Sequence, residues 1–424
     1  MFKLCFTTLL GFLFLGNAVF YAQDTTYVNS LVSELSGEGY FGRGYMKDGC
    51  TKAAARLQEE MEKVGLQPYE DSYYQHFSFW VNTFPEPMEL KIDGQNFRLS
   101  HDFIIPAESD DLSGTWPLIE IDSLTLADSV AFSALKEKEF AGNVVYFNEQ
   151  HLNKKRKKLV KKQFNDNSLN AKAYICIKEG YPMWNASAEK KKAPLIQFTE
   201  KAFPENPDSV SIHVNSKMRN VEVSNVIGYL PGNSDRTMAV TAHYDHLGGI
   251  GDSVYFAGAN DNASGVAACL DIAAYCKKHE TDFNLVVMLF AGEEAGLLGS
   301  MYCAANPLIP NEDIDFLINL DMVGTGDNGF TIVNVADDTY TEARKLFDTL
   351  NEEGDFVEDL AYRGIAANSD HYPFHAMDVQ SVFFYGRGGE SWYHHVNDTP
   401  ETLSYAGYNG LFKLLIKFME SYGR

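Results

Sequence analysis

The chain has 424 residues, a formal net charge of −23 and a hydrophobic fraction of 45%, enough for a domain of catalytic size plus a second one. So acidic a chain argues against nucleic acid or an anionic membrane as its main partner. The one basic run, "NKKRKKLVKK" at 153–162, reads as a solvated helix face rather than a binding patch.

At the N-terminus Lys3 precedes an apolar stretch from Leu4 to about Leu15, followed by small residues. This predicts a signal peptide over 1–22, cut near Ala18 or Ala22, because the apolar core is too short to span a bilayer. No later segment reaches the roughly 18 apolar residues that a span needs. The mature chain is therefore expected to be exported, periplasmic or extracellular, without a membrane span. Its oligomeric state is not written in the sequence. Beyond Cys5 lie Cys50, Cys176, Cys269, Cys276 and Cys303. They show neither a disulfide framework nor C-x-x-C zinc spacing, and Cys269 and Cys276, seven apart on a predicted helix, read as small core residues.

Residues 31–68 predict two helices joined by a glycine-rich link. The second, from about Cys50 to Val64, sets Ala54, Leu57, Met61 and Val64 on one stripe, and Gly65 ends it. From 91 to 212 short β-like pieces such as "NVVYFN", "AKAYICI" and "APLIQFT" alternate with polar, lysine-rich segments. They predict a small β-rich inserted domain with few reactive side chains.

From 213 onward the texture is α/β. Strands are predicted within "TMAVTAHYDH" (237–246), "LVVMLF" (285–290), "DFLINLDMVG" (315–324) and "QSVFFYG" (380–386). Helices are predicted from Asn262 or Ser264, from about 295, near 341–351 and over 407–421. Such alternation implies a mixed, mainly parallel sheet covered by helices on both faces. In such sheets ligands gather beyond the carboxyl ends of the strands.

Acids and imidazoles collect at those ends. "TAHYDHLGG" gives His243, Asp245 and His246; "FAGANDNASG" gives Asp261; "LFAGEEAGLLGS" gives Glu293 and Glu294; "NLDMVG" gives Asp321; "SWYHHVNDTPETL" gives His394, His395 and Asp398. A mixture of imidazole and carboxylate suits a divalent metal, zinc first. Three ligating carboxylates against two Zn2+ leave about one positive charge, which a hydroxide neutralises, whereas one ion would leave buried negative charge in excess. One glutamate of the adjacent pair then binds metal while its neighbour takes a proton from water. Each motif alone is weak, since an aspartate after a strand is more often a helix cap than a ligand.

Taken in order, "HYDHLG", "GANDNASG", "GEEAGLLGS", "NLDMVG" and "YHHVNDT" closely resemble the M28 family of co-catalytic zinc aminopeptidases. "LSGEGYFGRG" and "KAAARLQEEMEKVGLQP" resemble the N-terminal region of its bacterial members, and the β-rich piece is similar to a protease-associated domain. The resemblance implies a zinc-exopeptidase fold, with a catalytic domain over 23–90 and 213–424 and a protease-associated insert at 91–212. It implies two Zn2+ per chain, one on His243, Asp261 and Asp321 and the other on Glu294, His394 and the bridging Asp261. Glu293 would be the general base, and Asp245 would orient the His243 imidazole. His394 fits better than His395 because the family spacing H-x-x-x-D-T ends here in Asp398 and Thr399. His246 and His371 are expected to be polar neighbours, and Asp370 to support the site.

The implied activity is removal of single residues from the N-termini of peptide substrates by a hydroxide held between the zinc ions. A glutaminyl cyclase using one zinc stays open. So does a carboxypeptidase, supported only by Arg387 shortly before His394, and so does a non-catalytic binding relative.

Overall fold

The computed structural model describes residues 25–336, 338–390 and 392–423; the expected signal peptide lies outside them. Helices α1 (Thr25–Leu35) and α2 (Gly49–Val64) precede strands β1 (Gln67–Pro68) and β2 (Tyr74–Thr83). The chain returns to the same sheet as β3 (Lys217–Leu230), β4 (Thr237–His243), α3 (Gly265–His279), β5 (Asn284–Phe290), α4 (Leu298–Ala305) and β6 (Phe316–Leu320). It ends with β7 (Phe330–Val333), α5 (Thr341–Gly354), β8 (Leu360–Arg363), β9 (Ser381–Gly386) and α6 (Tyr408–Ser421). The sheet order is β1-β3-β5-β4-β6-β9-β7-β8, with β2 paired to β3. Its centre, β5-β4-β6-β9, is parallel, flanked by antiparallel β3 and β7.

Strands buried on both faces read as continuous apolar runs, and β5 shows why both faces need cover. Leu285, Val287 and Leu289 pack with Val240, Ala242 and Ile318 against Val28 of α1, Leu57 of α2, Val266 of α3, Phe347 of α5 and Leu415 of α6. Val286, Met288 and Phe290 face the other way, onto Cys303 and Ala304 of α4 and onto Phe374. The mixed α/β architecture is the one the alternation of elements implied. All five described cysteines are buried and unpaired. Gly65 closes α2 with φ 93, donating its N–H to the carbonyls of Met61 and Glu62. No helix among the described residues is long and apolar enough to cross a membrane.

A second sheet of eight strands lies between Glu89 and Val214. One of its faces, with Val144, Tyr146, Ile175 and Ile177, packs together with Trp184 onto Leu247, Ile250 and Phe256. The other is covered by the helix Lys154–Asn165 through Val160 and Phe164. Lys154, Lys155 and Lys158 of that helix are exposed, so its basic run is a solvated face. Of the two helices near the parallel strand ends, α3 starts at Gly265, directly after the expected opening residue Ser264, whereas α4 starts at Leu298, later than the sequence suggests. The turns before them are occupied by functional side chains.

Candidate metal centre

β4 ends in His243, β5 leads into Glu293 and Glu294, and β6 leads into Asp321. Asp261 comes from the turn before α3, and His394 from the loop after β9. These six side chains meet beyond the carboxyl ends of the parallel strands.

The Asp261 turn is held from several sides. The Asp398 carboxylate accepts from the backbone N–H of Asn260 (2.9 Å) and of Asp261 (3.0 Å). Asn262 Nδ2 donates to the Leu320 carbonyl at 2.9 Å, and its Oδ1 accepts from the amides of Gly265 (2.9 Å) and Met322 (3.2 Å). Gly258 has φ +61, and a Cβ there would lie 2.3 Å from the Asp261 carbonyl oxygen, so only glycine fits. The fully buried Arg43 donates to the carbonyls of Tyr244 (2.8 Å), Leu35 (3.0 Å), Ala257 (2.7 Å), Gly258 (2.6 Å) and Asp261 (3.3 Å). Burial lowers its guanidinium to about 10, against the pull of Asp398 and Asp261. It therefore remains a cation at neutral pH among the acids.

The glutamate turn is held by Asp245. Its carboxylate accepts from the N–H of Glu293 (3.2 Å) and Glu294 (3.4 Å) and from the Tyr45 hydroxyl (2.6 Å). This differs from the expected role of Asp245. His243 Nδ1 lies 3.0 Å from the Asp245 backbone carbonyl but 3.8 Å from its carboxylate. The main chain orients the imidazole, and the carboxylate is free to cap the turn. That capped, non-helical turn also explains the late start of α4.

His243 Nε2 lies 3.2 Å from Asp261 Oδ1 and 3.5 Å from Asp321 Oδ1. His394 Nε2 lies 3.3 Å from Asp261 Oδ2 and 3.1 Å from Glu294 Oε2. A tetrahedral zinc ion with bonds of about 2.0–2.1 Å spaces its ligand atoms about 3.3–3.4 Å apart. In both sets the imidazole-to-carboxylate distances fit that spacing, with Asp261 offering one oxygen to each, and His243, Asp261 and Asp321 form a compact ligand group. Asp261 Oδ2 is buried with no hydrogen-bond donor, an acceptor that a cation would satisfy. His246 belongs to a second compact set with Asp261 and Glu294. Its Nδ1, however, is 2.6 Å from Glu294 Oε1 and 3.9 Å from Asp261 Oδ1. Those distances describe a hydrogen-bond partner of Glu294 rather than an evenly placed ligand.

The electrostatics separate the two adjacent glutamates. Burial pushes both upward, but His394 and His246 drive Glu294 down to about 2. Burial, reinforced by Glu294, Asp370 and Asp321, holds Glu293 well above the usual carboxylate range against the pull of His243. Burial lowers the His243 ring, yet Glu293 and Asp321 outweigh it and hold the ring well above its ordinary value. For His394 burial is likewise overcome by Glu294 and Asp261, reaching about 11. The His394 imidazolium thus counters the carboxylates where a cation would.

Around this cluster, Ser369 Oγ donates to Asp321 Oδ2 at 2.7 Å and accepts from Asn319 Nδ2 at 2.7 Å. Asp370 is fully buried near His243, Asp245 and Asp321, and burial pushes it up to about 7. His371 stacks near Phe383, ring centroids 5.4 Å apart; burial lowers it to about 3. His395 packs on Trp392 (5.1 Å) and Tyr181 (4.9 Å), outside the cluster.

A cavity of about 280 Å³ opens over His243, Asp261, Glu293, Asp321 and His394, with Tyr393, Tyr385, Asn368 and Arg363 around it. Arg387 pairs with Asp359 and does not line the cavity. Arg363 does, with Nη1 donating to the Tyr385 hydroxyl at 3.3 Å. Nothing in the sequence pointed to Arg363, since β8 carries no motif. Nor did spacing reveal Arg43, Tyr45 or Asn185, whose Oδ1 is 2.6 Å from His394 Nδ1.

Residues 225–419 match the family model for Peptidase family M28. This chain carries an M28 peptidase domain. All six side chains of the cluster fall within the M28 stretch. Aminopeptidase YwaD of Bacillus subtilis is 31% identical over 187 residues, 39% of this chain and 36% of that protein. A probable zinc metalloprotease of Pyrenophora teres is 35% identical over 117 residues, 26% of this chain and 24% of that protein. The chain thus matches only about a quarter to a third of the length of these relatives. The solved structure of BSAP, a zinc aminopeptidase from Bacillus subtilis, is similar in fold: TM-score 0.68 and 21% identity over 94% of this chain and 95% of that one.

Proposed function

We propose that this M28 protein is an exported zinc aminopeptidase that removes single residues from peptide N-termini, using two zinc ions and Glu293 as general base. The observation that carries the reading is Asp261, whose Oδ1 lies 3.2 Å from His243 Nε2 and whose Oδ2 lies 3.3 Å from His394 Nε2. One carboxylate facing two imidazoles through different oxygens suits a bridging ligand. The aminopeptidase name of the Bacillus subtilis relative supports the same reading. Export rests on the N-terminal sequence alone. The second sheet would correspond to the protease-associated insert expected at 91–212.

His243, Asp261 and Asp321 would hold one ion, and Asp261, Glu294 and His394 the other. Bound there, the ions supply Lewis acidity toward the scissile carbonyl and bring the pKa of water near neutrality. Glu293 takes the proton of the attacking water and passes it to the leaving amine. Asp245 and Tyr45 fix the turn on which both glutamates ride, while Ser369 fixes Asp321. The carboxylates around the cavity favour a substrate that enters with a charged α-amine.

The experiment is incubation of the zinc-loaded protein with free, Nα-acetylated and C-terminally amidated peptides, with products identified by mass. Release of the first residue should vanish on acetylation and survive amidation. Pyroglutamate formation from Gln peptides without amino-acid release would instead identify a cyclase. A second reading, carboxypeptidase, is favoured by Arg363 at the cavity. It requires the inverse pattern, in which amidation stops cleavage and acetylation does not.

A further inference from the structure

Among the described residues of the cluster, His394 has its imidazole held from outside the M28 stretch. Its backbone is left-handed, φ 57, a conformation that a residue with a Cβ keeps only when its surroundings impose it. Two adjacent residues of the segment leading to the last parallel strand of the second sheet do so. The Trp184 backbone N–H donates to the His394 carbonyl at 3.1 Å, and Asn185 Oδ1 lies 2.6 Å from His394 Nδ1. The segment is itself anchored. Trp184 is 4% exposed, stacks on Phe256 with centroids 5.0 Å apart and meets Phe84 edge-on. The Ser187 carbonyl accepts from the Asn82 amide at 2.7 Å.

The chemistry of imidazole gives this contact a consequence. A neutral ring offers Nε2 to a cation only when its proton sits on Nδ1. An amide oxygen on Nδ1 selects that tautomer and leaves the Nε2 lone pair facing Asp261 Oδ2 and Glu294 Oε2. His243 receives the same service from the Asp245 backbone carbonyl, at 3.0 Å, inside the M28 stretch. One imidazole is oriented by its own strand end, the other by the second sheet.

Building on the two-metal reading above, we infer that Asn185 is a positioning residue for the second metal site. By accepting the Nδ1 proton of His394 it fixes ring and tautomer, so that occupancy of the site on Asp261, Glu294 and His394 depends on the docked second sheet. The first site, on His243, Asp261 and Asp321, does not depend on it.

The test compares wild type, Asn185→Ala and Asn185→Asp as full-length protein, titrating zinc against a competing chelator and counting bound ions. Asn185→Ala should weaken one of the two zinc ions roughly 10–100-fold and leave the other unchanged. Asn185→Asp still accepts the proton and should stay near wild type. Asn185 is exposed, so the unfolding midpoint of the metal-free protein should be the same in all three. Asn185→Ala holding both ions at wild-type affinity would overturn the inference. So would equal weakening of both, or a fall in the metal-free midpoint without selective loss of one ion. A wild-type protein that takes up a single zinc would overturn the two-metal reading itself, and this inference with it.

Discussion

Glu293 and Glu294 are adjacent, largely buried acids whose neighbours push them in opposite directions, which divides the work between them. Glu294 faces His394 Nε2 at 3.1 Å, whereas Glu293 comes no closer than 4.0 Å to His243 Nε2 and looks into the cavity. Glu293→Gln should therefore retain both zinc ions while turnover falls about 10²–10⁴-fold; near-normal turnover would remove Glu293 from the base role. The metal-free imidazoles carry a second expectation. His394 stands at about 11, so at pH 8 it holds a proton that zinc must displace. Zinc binding should release protons and weaken as pH falls. Calorimetry in buffers of different ionisation enthalpy reads this directly, and no proton release at pH 8 would contradict it. His243, Asp261, Glu293, Glu294, Asp321 and His394 were legible because each follows a strand or caps a turn within an ordered motif. Asn185, Arg43, Tyr45 and Arg363 were not, because they arrive through tertiary docking that no spacing encodes.

At the scale of elements, the turns do more than the helices they precede. The helix α3 starts beside its expected opening residues Asn262 and Ser264, whereas α4 starts at Leu298, beyond the expected start at about 295. Side chains hold the turns before both helices: Asp398 and Asn262 before α3, Asp245 before α4. A local rule sees the capping residue Asn262 but not the distant carboxylate of Asp398 that binds the amides of Asn260 and Asp261 just before it. Removing one such carboxylate tests this view. Asp398→Ala leaves the buried amides of Asn260 and Asp261 without their acceptor, a loss of about 1–3 kcal/mol. It should appear as a lower urea midpoint, accompanied by weaker binding of both zinc ions, since Asp261 serves both sites. Unchanged zinc affinity would show that the turn keeps its shape without Asp398.

For the molecule as a whole, the alternation of strands and helices after residue 213 was enough to read a parallel-centred sheet, because each strand must bury both faces. The relation of the second sheet to the first was not readable. Its 91–212 stretch reads as a β-rich piece with few reactive side chains, and Asn185 sits in an irregular polar segment. The packing of Trp184 against Phe256 and Phe84, with the Asn82 amide on the Ser187 carbonyl, brings that segment over His394. The central claim, a two-ion centre bridged by Asp261, is tested most directly by anomalous diffraction at the zinc edge from crystals of the zinc-loaded protein. The account predicts two peaks about 3.5–4 Å apart, one among His243, Asp261 and Asp321 and the other among Asp261, Glu294 and His394. A single peak, or a second ion bound by His246 in place of His394, would contradict it.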